Sequence, residues 1–233
     1  MKKLFLAATF LLAATALNAQ GLDEIISKYT AANKLDKMGN IKTIKIAAKT
    51  SVMGMDMPIE MWMKSPNKFK TVTSFSGQEM IQVFDGEKGY MVNPMTGSMS
   101  PVELTPDQVK QIDRNNYFNN YMAQYLKEGK LVLEGEESVK GKQAYKIKAD
   151  LGNGTNAYMF IDKASSLLVK TIATVNQQGM DVTVESYPSD YTETNGVFLP
   201  MKTTTSTSGM EIVTTFTKVE VDVPIDDSVF KLK

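Results

Sequence analysis

Two hydrophobic periods divide the chain. Near its front, Leu22, Ile25, Ile26 and Tyr29 recur at the i, i+3, i+4, i+7 spacing that gathers apolar side chains on one helical face. Asp23 and Glu24 fall in the first turn, where negative charge complements the helix dipole, and Gly39 closes a second short turn. From Ile41 the period drops to two. Ile41–Ile46 is β-rich, and Met53, Met55, Met57, Ile59, Met61 and Met63 alternate with mostly polar or small neighbours. Gly54, Asp56 and Pro58 place the first hairpin turn between 54 and 58; further turns are expected at Ser76-Gly77-Gln78 and Asp85–Gly89. One helix then interrupts the meander. Thr105 is a natural N-cap, Pro106 suits the first helical position, and Gln108 stands where a capping box needs its partner. Val109, Ile112, Tyr121, Met122, Tyr125 and Leu126 keep rough helical spacing up to Gly129, but the polar stretches Arg114-Asn115-Asn116 and Asn119-Asn120 predict a helix broken or mobile in the middle. Strands resume over 131–135, 144–151, 157–161, 167–175, 180–187, 197–205 and 210–221, with Gly152-Asn153-Gly154 the clearest hairpin among them. Regular strands, short turns and few helices predict a mainly β (α+β) fold built on one continuous antiparallel sheet.

The first nineteen residues carry a different pattern. Lys2 and Lys3 precede an uncharged apolar stretch from Leu4 to Leu17, and Ala19 offers a small residue for cleavage. The stretch is shorter than the roughly 20 apolar residues of a spanning helix. Residues 1–19 are therefore expected to be a signal peptide, and 20–233 a single exported domain of about 210 residues. No Cys follows the apolar stretch, so anchoring through a lipidated N-terminal cysteine is not expected. Losing Lys2 and Lys3 takes the balance from 26 basic against 26 acidic residues to a net −2. Such a near-neutral chain gives no electrostatic case for nucleic acid.

Absences narrow the chemistry further. With no Cys and no His, the sequence has no disulfide, no zinc site of the usual nitrogen and sulfur type, no thiol nucleophile and no imidazole base. Carboxylate-only metal sites and carboxylate-pair hydrolysis stay open, yet no residues are spaced to suggest either. No enzyme activity and no cofactor are expected.

Two segments carry a specific likeness. Trp62-Met63-Lys64-Ser65-Pro66-Asn67-Lys68-Phe69 and the run Ile81–Pro94, with Asp85-Gly86 and Asn93-Pro94, resemble the periplasmic outer-membrane lipoprotein carriers, the LolA-like proteins. Tyr158–Asp162, Leu167-Leu168-Val169, Asp190-Tyr191 and Gly196–Pro200 look like that family's later strands. The resemblance implies an incomplete antiparallel β-barrel, a curved sheet with a helical lid over its concave side. It further implies a cavity that shields acyl chains of a lipoprotein or similar lipid, loading by an inner-membrane ABC-type exporter, and delivery to an outer-membrane acceptor. Related carriers often place an Arg between the Lys and the Pro of the first motif, where it helps hold the lid closed. Here that position is Ser65, and Arg114 is the chain's sole Arg. Serine cannot supply the planar five-donor fork of guanidinium.

An acyl-chain cavity must be apolar yet incompletely packed, because a filled core leaves no room for ligand. Methionine suits such a lining, being unbranched and polarizable, and the chain has 16 of them. Ile59, Met61, Met63, Phe69 and Phe84 are the candidate lining of the sheet; Ile25, Ile26, Tyr29, Met122, Tyr125 and Leu126 are the candidate lid residues, with Ser65 at the closure position. Ordinary core packing is the competing reading of the same stripe. The expected function is that of a soluble, monomeric periplasmic carrier, the alternative being an envelope sensor or scaffold of the same fold that binds lipoprotein or a protein partner without transporting it.

Overall fold

The period-two runs become strands β1 (Thr43–Val52), β2 (Met55–Lys64), β3 (Lys68–Phe75), β4 (Gln78–Phe84), β5 (Gly89–Val92) and β6 (Val102–Glu103) before the central helices. After them come β7 (Leu131–Val139), β8 (Lys142–Gly152), β9 (Thr155–Asp162), β10 (Leu168–Gln177), β11 (Met180–Thr194), β12 (Val197–Thr207) and β13 (Met210–Val221). The computed structural model describes residues 21–96, 99–114, 116–152, 154–177 and 180–232. The expected leader 1–19 and Asn153 of the 152–154 turn lie outside the described residues.

All thirteen strands belong to one antiparallel sheet in the order β6-β5-β4-β3-β2-β1-β13-β12-β11-β10-β9-β8-β7. The first strand thus pairs with the last, and the sheet ends on β6 and β7 instead of closing into a barrel. Register shifts at Ala47/Ala48 and Leu133/Gly135 insert bulges, which bend strands and increase their twist. The expected open, curved antiparallel sheet is therefore what forms. Glu134, Glu136 and Glu137 lie along the edge strand β7, where charge discourages pairing with a second chain.

The first hairpin differs from expectation. Met53 and Gly54 alone make the turn, with φ of 50° and 80°, and Met55 to Pro58 are already strand. A two-residue turn with both φ positive matches the twist of the flanking strands, and Gly54 adopts it without a steric cost. Met53 consequently leaves the alternating series and stands 81% exposed at the tip. The same device recurs at Ser76–Gly77, Lys140–Gly141, Asn195–Gly196 and Ser208–Gly209.

The helices are α1 (residues 21–32), α2 (Leu35–Met38), α3 (Pro106–Arg114) and α4 (Tyr121–Lys127). The capping box forms as its sequence requires: Thr105 N–H donates to Gln108 Oε1 at 2.8 Å, and Gln108 N–H donates to Thr105 Oγ1 at 3.3 Å. The predicted break falls between α3 and α4. Beyond α4, Lys130 N–H donates to Tyr125 O at 2.9 Å and Gly129 N–H to Leu126 O at 3.1 Å, the paired bonds of a Schellman stop.

The described residues group into two compact units, 21–33 with 121–183 and 34–120 with 184–232. In the first unit, Leu22, Ile25 and Ile26 of α1 and Met122 of α4 pack on Leu131, Ile147, Ala149 and Ile161 of the sheet. In the second, Met38, Ile41, Ile44, Ile46, Ala48, Met63, Val197, Leu199 and Val219 form the core. No helix among the described residues is long and apolar enough to cross a membrane.

Candidate functional site: a roofed cavity on strands β2 to β4

The second unit contains a cavity of about 390 Å³ between the β2–β4 face and the segment beginning with α3. Its floor follows from register. Met63 pairs with Phe69, and Phe69 with Phe84, giving one apolar row across three strands. Two residues further along, Met61 pairs with Thr71 and Thr71 with Gln82, giving a second, more polar row. Side chains two apart on a strand share a face, so both rows open into the same space. Met63 and Phe84 are buried, while Met61, Thr71 and Gln82 are half-buried. The roof is built at a spacing of four, from Gln108 and Ile112 of α3 and Asn116 just beyond it, with Tyr117 alongside. Asn67 and Lys68 of the β2–β3 connection complete the lining.

Chemically the lining is half apolar and half hydrogen-bonding, and among the described residues Lys68 is its sole charged one. That charge has a partner. Lys68 Nζ lies 2.8 Å from Asp227 Oδ2 and Lys64 Nζ 2.7 Å from Asp227 Oδ1, so one carboxylate from the C-terminal 3₁₀ turn (Asp227–Phe230) clamps both lysines. Hydrogen bonding from Lys64, then from Lys68, lowers the Asp227 carboxyl to about 2. Burial pushes the Tyr117 phenol up to about 12, so it stays neutral at any physiological pH. A neutral phenol, four amides, a threonine and a paired lysine hold polar groups in place; no base and nucleophile stand together among these residues.

Four of the candidate sheet residues line this cavity: Met61, Met63, Phe69 and Phe84. Ile59 does not; it pairs with Thr73 one row further out and packs on the unit's core. Ile25, Ile26, Tyr29, Met122, Tyr125 and Leu126 are not at this cavity either. They form or pack against the core of the first unit, where Ile26 is 2% exposed. Ile25 borders a recess of about 190 Å³ that it shares with Glu24, Lys28 and Lys163. The reason is plain in the sheet: β7 to β9 offer an apolar face on which α1 and α4 pack. A shallow depression of about 550 Å³ by Lys42, Lys64 and Asp222 is nearly flat and encloses nothing.

Ser65 does not line the cavity. Its N–H donates to Lys42 O at 2.8 Å, and the contact that ties roof to floor is its neighbour's: Asn116 Nδ2 donates to Pro66 O at 2.8 Å. Asn116 Oδ1 accepts from Phe118 N–H at 3.0 Å, so one amide both shapes the turn after α3 and fastens it to the β2–β3 connection. Sequence reasoning missed Asn67, Thr71, Gln82, Gln108, Ile112, Asn116 and Tyr117 as lining. A signal for two of them existed. With Ser76–Gly77 as a two-residue turn, residues equidistant from it must pair, which sets Thr71 beside Gln82 and Phe69 beside Phe84.

A LolA superfamily protein from Nitrosomonas europaea superposes with a TM-score of 0.55 over 85% of this chain and 96% of that one, at 13% identity. The fold is LolA-like. A candidate outer membrane lipoprotein-sorting protein domain from Vibrio parahaemolyticus matches with a TM-score of 0.57 over 91% and 97% at 10% identity, and a DUF1329 family protein from Desulfovibrio piger with 0.59 over 88% and 96% at 11%. Identities this low establish shared architecture alone. No protein-family model matches the sequence, and no curated protein is significantly similar to it.

Proposed function

We propose that this chain is a periplasmic carrier that shelters the acyl portion of a lipoprotein or similar lipid between β2–β4 and the α3 roof, on the way to the outer membrane. The observation that carries the reading is the cavity itself. A volume of about 390 Å³ bounded by Met61, Met63, Phe69, Phe84 and Ile112 is an apolar space that the chain's own side chains leave unfilled. Apolar burial supplies the affinity, at about 0.8 kcal/mol per methylene. The thioethers of Met61 and Met63 adapt to a chain of variable shape, as release to an acceptor demands. Opening the roof would break the Asn116–Pro66 bond and leave the ladder of β2 to β4 intact. Carriage needs no bond made or broken, and the amides and paired lysine of the lining suit holding better than turnover. Loading by an inner-membrane ABC-type exporter and unloading to an outer-membrane acceptor are the partner steps this function requires.

Native mass spectrometry of the protein purified from its own cell envelope without detergent tests the proposal. Adducts with the mass of lipid or lipoprotein are expected, and their loss from a cavity-filling Ile112→Trp variant that retains its melting temperature. Protein that is empty, and that fails to bind any added acyl compound, refutes it.

A further inference from the structure

The size of the cavity limits its occupant. A dry cavity of about 150 Å³ accepts the six carbons of benzene, so about 390 Å³ accepts roughly sixteen carbons at most. A ligand with three acyl chains needs roughly three times that space by the same measure. We infer that the cavity takes one acyl chain, and that the ligand it fits is a single-chain amphiphile of about sixteen carbons with a hydrogen-bond-accepting head. This rests on the acyl-carrier reading above and narrows it.

Three features keep the space from growing to admit a second chain. On the β1 side of the floor, Met63 is 4% exposed and packs into a core with Ile44 and Ile46, both fully buried, so the cavity does not extend that way. Above it, the Asn116–Pro66 bond ties the roof to the β2–β3 connection, and the Thr105–Gln108 capping box fixes the first turn of α3. At the β2–β3 end, the Lys64–Asp227–Lys68 clamp fixes the wall that Lys68 forms. The polar lining describes the head. Asn67, Gln82, Gln108 and Asn116 bring amide donors, Lys68 brings ammonium donors, and among the described residues no carboxylate lines the cavity. A carboxylate or phosphate head meets donors there and no like charge. A free fatty acid and a lysophospholipid share this chemistry, and experiment separates them.

The test is isothermal titration of the mature chain with decanoate, hexadecanoate, docosanoate, 1-palmitoyl-lysophosphatidylethanolamine and a tripalmitoylated cysteinyl peptide. Affinity is expected to rise from ten to sixteen carbons, by up to fourfold per methylene at full burial, and then to level off at docosanoate. The three-chain peptide is expected to bind at least tenfold more weakly than hexadecanoate. A lysophospholipid tighter than hexadecanoate identifies a phosphate-bearing ligand, and the reverse a free acid; both agree with the inference. Filling the second row with Thr71→Leu should move the plateau to shorter chains, and Met61→Phe provides the same check should Thr71→Leu fold poorly. Affinity that keeps climbing to docosanoate, a three-chain peptide bound as tightly as hexadecanoate, or a plateau that neither variant moves would overturn the one-chain inference while leaving acyl carriage intact. Failure of every probe to bind removes the carrier function along with it.

Discussion

Met61 and Met63 are two residues apart on the same face of β2, and replacing each with Asp separates a cavity from a core. Met63 is 4% exposed, pairs with Ile44 on one side and Phe69 on the other, and belongs to the second unit's core. Met63→Asp forfeits about 1.5–3 kcal/mol of side-chain burial and adds about 3–5 kcal/mol for an uncompensated buried charge. The sum rivals the whole stability of an ordinary domain, about 5–15 kcal/mol. Met61 is half-buried and borders about 390 Å³ of open space, where a carboxylate keeps its water. Met61→Asp therefore costs about 1 kcal/mol, the partial burial it gives up. The acyl chain, by contrast, would have to strip that water to enter. Urea unfolding followed through Trp62, the chain's one tryptophan, measures the first quantity, and displacement of a fluorescent fatty acid measures the second. The expected result is a Met63→Asp protein that is largely unfolded, and a Met61→Asp protein that is folded but binds at least tenfold more weakly. Equal destabilisation by both substitutions would show Met61 to be sealed in packing, and unchanged binding by Met61→Asp would place the ligand elsewhere.

Asn116→Ala removes the roof's bond to Pro66 O and the acceptor for Phe118 N–H, at an expected cost of about 1–2 kcal/mol. Hydrogen exchange should speed up at 117–118 while the amides of β1 and β13 stay protected, together with faster ligand release; equal exchange in both proteins would show that the bond does not hold the roof. The Lys64–Asp227–Lys68 clamp predicts an acid transition. A carboxyl lowered from 3.8 to about 2 in the folded chain stabilises it above pH 4, and that contribution is lost as pH falls through 2. The difference in urea midpoint between the parent and Asp227→Asn should be present at pH 6 and vanish near pH 2, whereas a pH-independent difference would mean that the charge is not what matters.

The sheet was legible in the sequence because alternation along strands and turn residues between them are local properties. The capping box at Thr105–Gln108 and the stop at Gly129 were legible for the same reason. Ile25, Ile26 and Tyr29 do form an apolar stripe, but a stripe shows that a helix buries one face, not whether the surface it meets is filled or hollow. That depends on β7–β9, which α1 and α4 cover without a gap of useful size. Strand parity sorts Ile59, Met61, Met63 and Phe69 onto one face, but it does not say how far along the strand the cavity extends, and Ile59 lies one row beyond it. The clamp on Lys64 and Lys68 was invisible: Asp227 lies about 160 residues away in sequence, and solvated lysines look the same as paired ones. Met53 shows the finer limit, since one residue's error in a turn moved it from the series to an exposed tip.

Photo-crosslinking with a hexadecanoate bearing a diazirine at mid-chain reads the location of the bound chain directly. The labels are expected on Met61, Met63, Phe69, Phe84 and Ile112, with protection by unlabelled hexadecanoate. Labels falling instead on α1 and α4, or on the exposed tip residues Met53, Met55 and Met210, would contradict an acyl chain housed between β2–β4 and the α3 roof.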